Sequence, residues 1–247
     1  MPDAVFDHVA IGARELDGGW RLFGTLLGGR WAYGGNSAGF WWGQLEFASG
    51  PKIELLTPTG GPESAFLERF LAARGPGPHH LTFVVGDIEA TLAEIRGTGI
   101  EPVGINLASQ NWKEAFLHPR DVPGIVVQIA QQAGPPPPHP VPEALNHTDQ
   151  GPASAFALTE LHVHDLSRAS RLFRQILGGQ PPGDSPDAAH TTDLTWPNGA
   201  RLRLTERPDG AGLARLEFTR TAGYPPREAD RAAALAAGLR VPLFLGR

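Results

Sequence analysis

Apolar residues recur along this chain at two spacings, every second position and every third or fourth, and the alternation predicts strands interleaved with helices. Residues 5–12 predict a strand. From Arg14 to Leu27, the residues Leu16, Trp20, Phe23, Leu26 and Leu27 return at helical spacing, and Gly28-Gly29 predicts the stop. Short strands follow at 31–33, 40–47 and 52–56, separated by Gly-rich turns. Pro62 opens a linking helix to about Ala73, with Phe66, Leu67 and Phe70 as its buried stripe. The same order then restarts. A strand is predicted at 80–85, a helix from Asp87 to Arg96 with Ile88, Leu92 and Ile95 on one face, and strands at 101–105, 114–118 and 125–130. Each unit therefore reads strand, helix, three strands.

The pattern breaks at Gly134-Pro-Pro-Pro-Pro-His-Pro, and residues 134–153 predict a Pro-rich, semi-rigid linker. Beyond it the first unit returns. Phe156 to Gly179 aligns without gaps on Phe6 to Gly29, with the Phe, Leu-Phe and Leu-Gly-Gly positions shared. Strands are predicted at 192–196 and 200–205. Leu213 to Arg220 opens a shortened fourth unit with an Ala-rich helix over 230–237 and a last strand at 241–245. The predicted domains are 1–133 (two units), the linker 134–153, and a degenerate pair at 154–247.

Composition narrows the function. A hydrophobic fraction of 41% supports a packed core. The net charge of −5, almost without lysines, argues against nucleic acid or an acidic membrane surface. The absence of cysteine removes disulfides and thiolate metal sites, leaving a metal only His, Asp, Glu or amide ligands. The N-terminus shows no signal-peptide pattern and no apolar run reaches bilayer-spanning length, so a cytoplasmic location is expected.

The chain is organised around Gly75 to Val85, GPGPHHLTFVV, in which a turn delivers two adjacent histidines into an apolar strand. Neighbours on a strand point to opposite faces, so one of His79 and His80 faces inward. Phe6-Asp7-His8-Val9 opens the chain in the same way. The last strand of each unit carries a buried-type polar residue, Glu54 in KIELL and Gln128 in VVQIA. An isolated strand histidine or glutamate has ordinary hydrogen-bonded or solvated readings. Four such residues at matched places in a repeat point to one shared partner, because burying each alone costs free energy. A divalent ion is that partner: Co, Mn, Ni, Zn or Fe(II), held by His8, Glu54, His80 and Gln128. A hairpin centred on Gly50 would set Glu46 across from Glu54, making Glu46 the proton acceptor while Glu54 is a ligand. Trp42, Asn106, Asn111, Trp112 and His118 are expected at the substrate. For Trp41 and Trp42 core packing is the competing reading, while the polar run 109–114 reads as a substrate loop.

These residues resemble the vicinal oxygen chelate superfamily, which includes glyoxalase I, fosfomycin-resistance enzymes and extradiol dioxygenases. The N-terminal half is most similar to methylmalonyl-CoA epimerase-type proteins. The matching pieces are Asp7-His8-Val9-Ala10-Ile11, Leu55-Leu56-Thr57-Pro58, Gly77-Pro78-His79-His80-Leu81-Thr82-Phe83, Asp87-Ile88-Glu89-Ala90, Ala115-Phe116-Leu117-His118-Pro119 and Gly124-Ile125-Val126-Val127-Gln128. The resemblance implies an α+β fold of tandem βαβββ modules, complete in the N-terminal pair and degenerate and truncated in the C-terminal pair. It implies a cleft with a divalent metal that polarises vicinal oxygens and stabilises an enolate. The family pattern places the metal on the second histidine of the pair, His80. Such epimerases present His, Gln, His, Glu in chain order, whereas this chain presents His8, Glu54, His80, Gln128. Carboxylate and amide have exchanged places, which turns the base to the other side of the substrate.

In the C-terminal half Leu158 aligns with His8, Arg203 with Glu54 and Arg215 with His80, so that half is expected to keep the fold without the metal. His162 and His164 fall off the ligand positions and read as surface or hydrogen-bonded residues. The leading expectation is a metal-dependent enzyme moving an α-proton, an epimerase, isomerase or lyase acting on a small molecule such as an acyl-CoA or 2-oxo acid. A homodimer is compatible with it. An Fe(II) extradiol-type dioxygenase and a non-catalytic small-molecule-binding protein stand as alternatives.

Overall fold

The computed structural model describes residues 3–122, 124–134, 141, 154–183, 189–220 and 243–246. All of the expected linker but Gly134 and Val141, and the helix expected at 230–237, lie outside the described residues. The fold is α+β and built of βαβββ modules. The first comprises β1 (Val5–Gly12), α1 (Leu16–Trp20), β2 (Arg30–Asn36), β3 (Phe40–Glu46) and β4 (Lys52–Pro58). Helix α2 (Ala65–Arg74) leads into the second: β5 (Gly77–Val84), α3 (Ile88–Arg96), β6 (Val103–Asn106), β7 (Trp112–Leu117) and β8 (Val126–Gln132). These strands form one eight-stranded sheet in the order β2-β3-β4-β1-β5-β8-β7-β6, two matching halves joined at the first strands of the two modules. Helix α3 starts where Asp87 accepts a hydrogen bond from the Ala90 amide, an N-cap that offsets an otherwise unpaired donor.

Further along the chain come β9 (Ser154–Val163), α4 (Leu166–Ser170), β10 (Thr191–Thr195), β11 (Arg201–Glu206), β12 (Gly212–Arg220) and β13 (Leu243–Gly246). They form a five-stranded sheet, β10-β11-β9-β12-β13. The gapless repeat is reproduced in detail. Helices α1 and α4 both widen after five residues into a π-helical segment, Arg21–Leu26 and Arg171–Ile176. Their last turns close identically, Leu27 N to Leu22 O at 3.1 Å and Leu177 N to Leu172 O at 2.9 Å. The Gly-Gly stop has two separate causes. Gly28 and Gly178 both adopt φ 69°, where a side chain is strained. A Cβ on Gly29 or Gly179 would collide with the Phe23 or Phe173 carbonyl. The expected helix over 14–27 is thus a short α-helix plus a wide turn.

Contacts gather the chain into two compact units. One contains 1–8, 80–135 and 158–215; the other contains 9–79, 136–157 and 216–247. The first is centred on Phe83, which stacks on Phe6 (centroids 4.9 Å) and meets Trp196 (5.4 Å) and Phe173 (5.6 Å). All four rings are buried. Asn198, at the β10–β11 turn, donates to the Phe6 carbonyl at 2.9 Å. The second unit is centred on Phe218, against Phe156 (4.5 Å), Phe47 (5.0 Å) and Phe23 (6.3 Å). Here the β3–β4 turn bonds to the start of β9, Ala48 N to Ser154 O and Phe156 N to Ser49 O, both 2.9 Å. In the same unit α2 lies on Ala10 and Leu56 through Leu67 and Leu71. Of the expected stripe Phe66, Leu67 and Phe70, Leu67 is buried and Phe70 packs against the same cluster, while Phe66 is corrected: it is 37% exposed and Leu71 faces the sheet instead. Among the described residues no helix is long and apolar enough to cross a membrane.

Candidate metal centre

Three strands that are neighbours in the large sheet, β4, β1 and β5, each present one ligand-type side chain: Glu54, His8 and His80. Their ligand atoms all lie within 4.8 Å of one another, and among the described residues this is the one such group of three His, Asp or Glu. The three are 8%, 1% and 5% exposed. Two donors bound to one ion at about 2.1 Å can stand at most about 4.2 Å apart, so a modest side-chain rotation closes the set on a metal. The donor chemistry fits as well: two neutral imidazoles and one carboxylate suit a borderline divalent ion.

Neighbouring groups orient these donors. Asp7 sits 2.8 Å from His8 Nδ1, which directs the other ring nitrogen, Nε2, away from it. That Nε2 lies 2.8 Å from the hydroxyl of Thr82, two residues beyond His80 on the same face of β5. Thr82 donates to Gln128 Oε1 at 2.7 Å, and Gln128 is its direct register partner on β8. Gln128 Nε2 in turn donates to Glu114 Oε2 at 2.7 Å, which also accepts from Trp112 Nε1 at 2.9 Å. On the other side Gln44 donates to Glu54 Oε1 at 2.9 Å. A buried carboxylate needs such a donor, because an uncompensated one costs several kcal/mol, roughly.

The two adjacent histidines divide as strand alternation demands. His80 joins the cluster, while His79 packs between Phe70 (4.7 Å) and Phe66 (5.6 Å). Burial pushes the His79 imidazole down to about 4, against the opposing pull of the Glu54 charge. His79 is therefore neutral at pH 7.

Glu46 does not stand across from Glu54. The β3–β4 ladder pairs Gln44 with Glu54 and Leu45 with Ile53, so the turn is centred one residue earlier than Gly50. Glu46 instead opposes Arg30 across β2–β3 and is exposed. The amide that actually faces the carboxylate binds it without the repulsion of a carboxylate pair. Trp42 is half-buried against the cluster formed by Ala10, Leu56, Leu67 and Leu71, edge-on to Tyr33 at 5.7 Å. Asn106 and Asn111 are exposed, the former accepting from the Ala108 amide. His118 sits in the turn after β7 and accepts from the Arg120 amide at 3.1 Å. Trp112 is tied to Glu114 as described. Sequence reasoning missed Asp7, Gln44, Thr82 and Glu114. Strand alternation from His80 marks Thr82, and Asp7 adjoins His8, but Gln44 and Glu114 needed the ladder registers.

In the smaller sheet Leu158 is buried where the first module has His8. Arg203 makes a bidentate pair with Asp193, both contacts 2.7 Å, and Arg215 pairs with Glu160 at 3.1 Å. Glu160 also accepts from Thr205 and lies 3.7 Å from His162; His164 is exposed.

Residues 7–116 match the profile of the Glyoxalase/Bleomycin resistance protein/Dioxygenase superfamily. Over that stretch the chain is similar to that superfamily. Among solved structures, a triple mutant of 4-hydroxymandelate synthase from Streptomyces coelicolor has 12% identity and a TM-score of 0.59. That match covers 96% of this chain and 76% of the other. Methylmalonyl-CoA epimerase from Mycobacterium tuberculosis has 27% identity and a TM-score of 0.46, covering 52% of this chain and 87% of its own. A variant of the Streptomyces coelicolor epimerase in complex with 2-nitronate-propionyl-CoA has 24% identity and a TM-score of 0.46, covering 52% and 97%. No curated protein matches the chain. At 12% identity the synthase carries the fold alone, and it carries it over nearly the whole chain.

Proposed function

We propose that this protein is a divalent-metal-dependent enzyme that binds a small molecule through adjacent oxygens and moves a proton from the carbon beside its carbonyl. The reading rests on one observation, the buried His8, Glu54 and His80 set on three neighbouring strands. These residues would hold the ion. Bound there, a divalent cation supplies Lewis acidity that makes the α-proton of a carbonyl compound removable. The chain's own contribution is placement. Asp7 holds the His8 ring, Gln44 holds the Glu54 carboxylate, and Thr82 with Gln128 extends the polar face across β5 and β8. Acyl-CoA and 2-oxo compounds are the substrate classes that fit this chemistry, giving epimerisation, isomerisation or a lyase step. The C-terminal half carries Leu158, Arg203 and Arg215 at the places that match His8, Glu54 and His80, and lends Phe156, Phe173, Trp196 and Phe218 to the aromatic cores.

Elemental analysis of the purified protein tests the assignment. About one divalent metal per chain is expected, and Glu54→Ala should remove it. Unchanged metal content in that variant would sink the site. A second reading has support from the ligand set itself, because two histidines and one carboxylate also make the facial triad of non-haem iron oxygenases. Iron as the resident metal, together with oxygen uptake on catechols, would decide for that reading.

A further inference from the structure

We propose that Glu114 is the residue that takes and returns the substrate proton, with Gln128 and Trp112 as its positioning residues. This rests on the proton-transfer reading above and names the group it leaves open. Glu114 lies on β7, on the same face as Phe116, whose ring meets that of His80 edge-on at 6.3 Å. Its two oxygens are treated differently. Oε2 is clamped by two N–H donors, Gln128 Nε2 at 2.7 Å and Trp112 Nε1 at 2.9 Å. Among the described residues Oε1 accepts no hydrogen bond. A carboxylate with one oxygen fixed and the other open is oriented and still has a lone pair to offer. Glu114 is half-buried, so a ligand can reach it.

The clamp is itself anchored to the metal centre. Thr82 donates to the oxygen of Gln128 and its hydroxyl lies 2.8 Å from His8 Nε2, so the His8 ring and the Glu114 carboxylate stand at the two ends of one run of polar contacts. The reach from Gln128 to Glu114 is diagonal across the β7–β8 ladder, since Gln128 pairs directly with Phe116. The ladder therefore places an acid/base group beside the ion's ligands without making it one of them. In the forward step the substrate Cα–H bond breaks, its electron pair moves toward the carbonyl oxygen as the enolate forms, and the proton goes to Glu114 Oε1. Return of that proton to carbon restores the carboxylate.

Wild-type protein, E114Q, E114D and Q128M would each be loaded with Co²⁺. The ion's absorption bands would be recorded, and deuterium uptake from heavy water would be followed into methylmalonyl-CoA and a set of 2-oxo acids. E114Q should bind one Co²⁺ with unaltered bands and lose exchange by about 10²–10⁴-fold, and E114D should recover part of it. Q128M should also leave the bands unaltered, and should lower the exchange turnover rate about tenfold with little change in KM. Exchange at the wild-type rate in E114Q overturns the assignment of Glu114. Shifted Co²⁺ bands in Q128M overturn the positioning role, because they would make the amide a ligand. Wild-type protein that takes up no cobalt, or exchanges none of these probes, brings down the proton-transfer reading itself and this proposal with it.

Discussion

The first and third modules share a backbone and differ in what their sheets hold. Residues 6–29 and 156–179 have the same interrupted helix, the same closing hydrogen bonds and the same φ at their first stop glycine. Yet the large sheet gathers His8, Glu54 and His80, whereas the small one has Leu158 at the matching place and fills its polar positions with ion pairs. Arg203 meets Asp193 and Arg215 meets Glu160, so that each charge is met by an opposite one from the chain. The lesson concerns compensation. A buried carboxylate and two imidazoles that converge can share one cation, while an arginine beside a carboxylate brings its own counter-charge. The scaffold tolerates either solution because its stability comes from elsewhere. The Phe83 and Phe218 clusters each draw rings from both halves of the chain.

This comparison can be attacked in order of expected effect. Replacing Phe83 by Ala should cost about 3–5 kcal/mol in urea unfolding, since it empties the centre of one aromatic cluster. A loss below about 1 kcal/mol would mean that the cluster is not what holds the unit. Asp7→Asn keeps size but removes the charge on the His8 ring, and metal affinity by calorimetry should fall about 10–100-fold. Unaltered affinity would leave Asp7 a bystander. Leu158→His imports the missing imidazole into the small sheet. It should destabilise by about 1–3 kcal/mol as an unpartnered buried polar group and leave the metal count at its original value. A second equivalent of metal would show that the small sheet lacks only one ligand. The smallest effect is expected for the Arg203–Asp193 pair, which is partly exposed. A double-mutant cycle should return a coupling of about 0.2–1 kcal/mol.

Much of this was legible along the chain because local periodicity and repetition are themselves physical constraints. The module order and the gapless return of the first module follow from strand alternation, helical spacing and Gly-Gly stops, and alternation requires one of His79 and His80 to face inward, whereas the choice of His80 came from the family resemblance. The placement of Glu46 was not legible. The β3–β4 turn spans Phe47 to Pro51, and its centre depends on which residues the turn bonds to, Ala48 and Ser49 to β9, far away in sequence. Glu114 was hidden for a related reason: its contact with Gln128 is a diagonal reach across the β7–β8 ladder, which spacing within one strand does not fix.

The amino-acid sequence by itself determined the modules, the buried polar positions His8, Glu54, His80 and Gln128, and the leucine and arginines at the matching places Leu158, Arg203 and Arg215. Each of these depends only on residue type and spacing within a single element. Tertiary structure alone decided which carboxylate faces which amide and that Glu114 is clamped at one oxygen. It also decided that each aromatic core is shared by distant modules. Those outcomes depend on ladder registers, and a register is fixed by contacts on both of its strands at once.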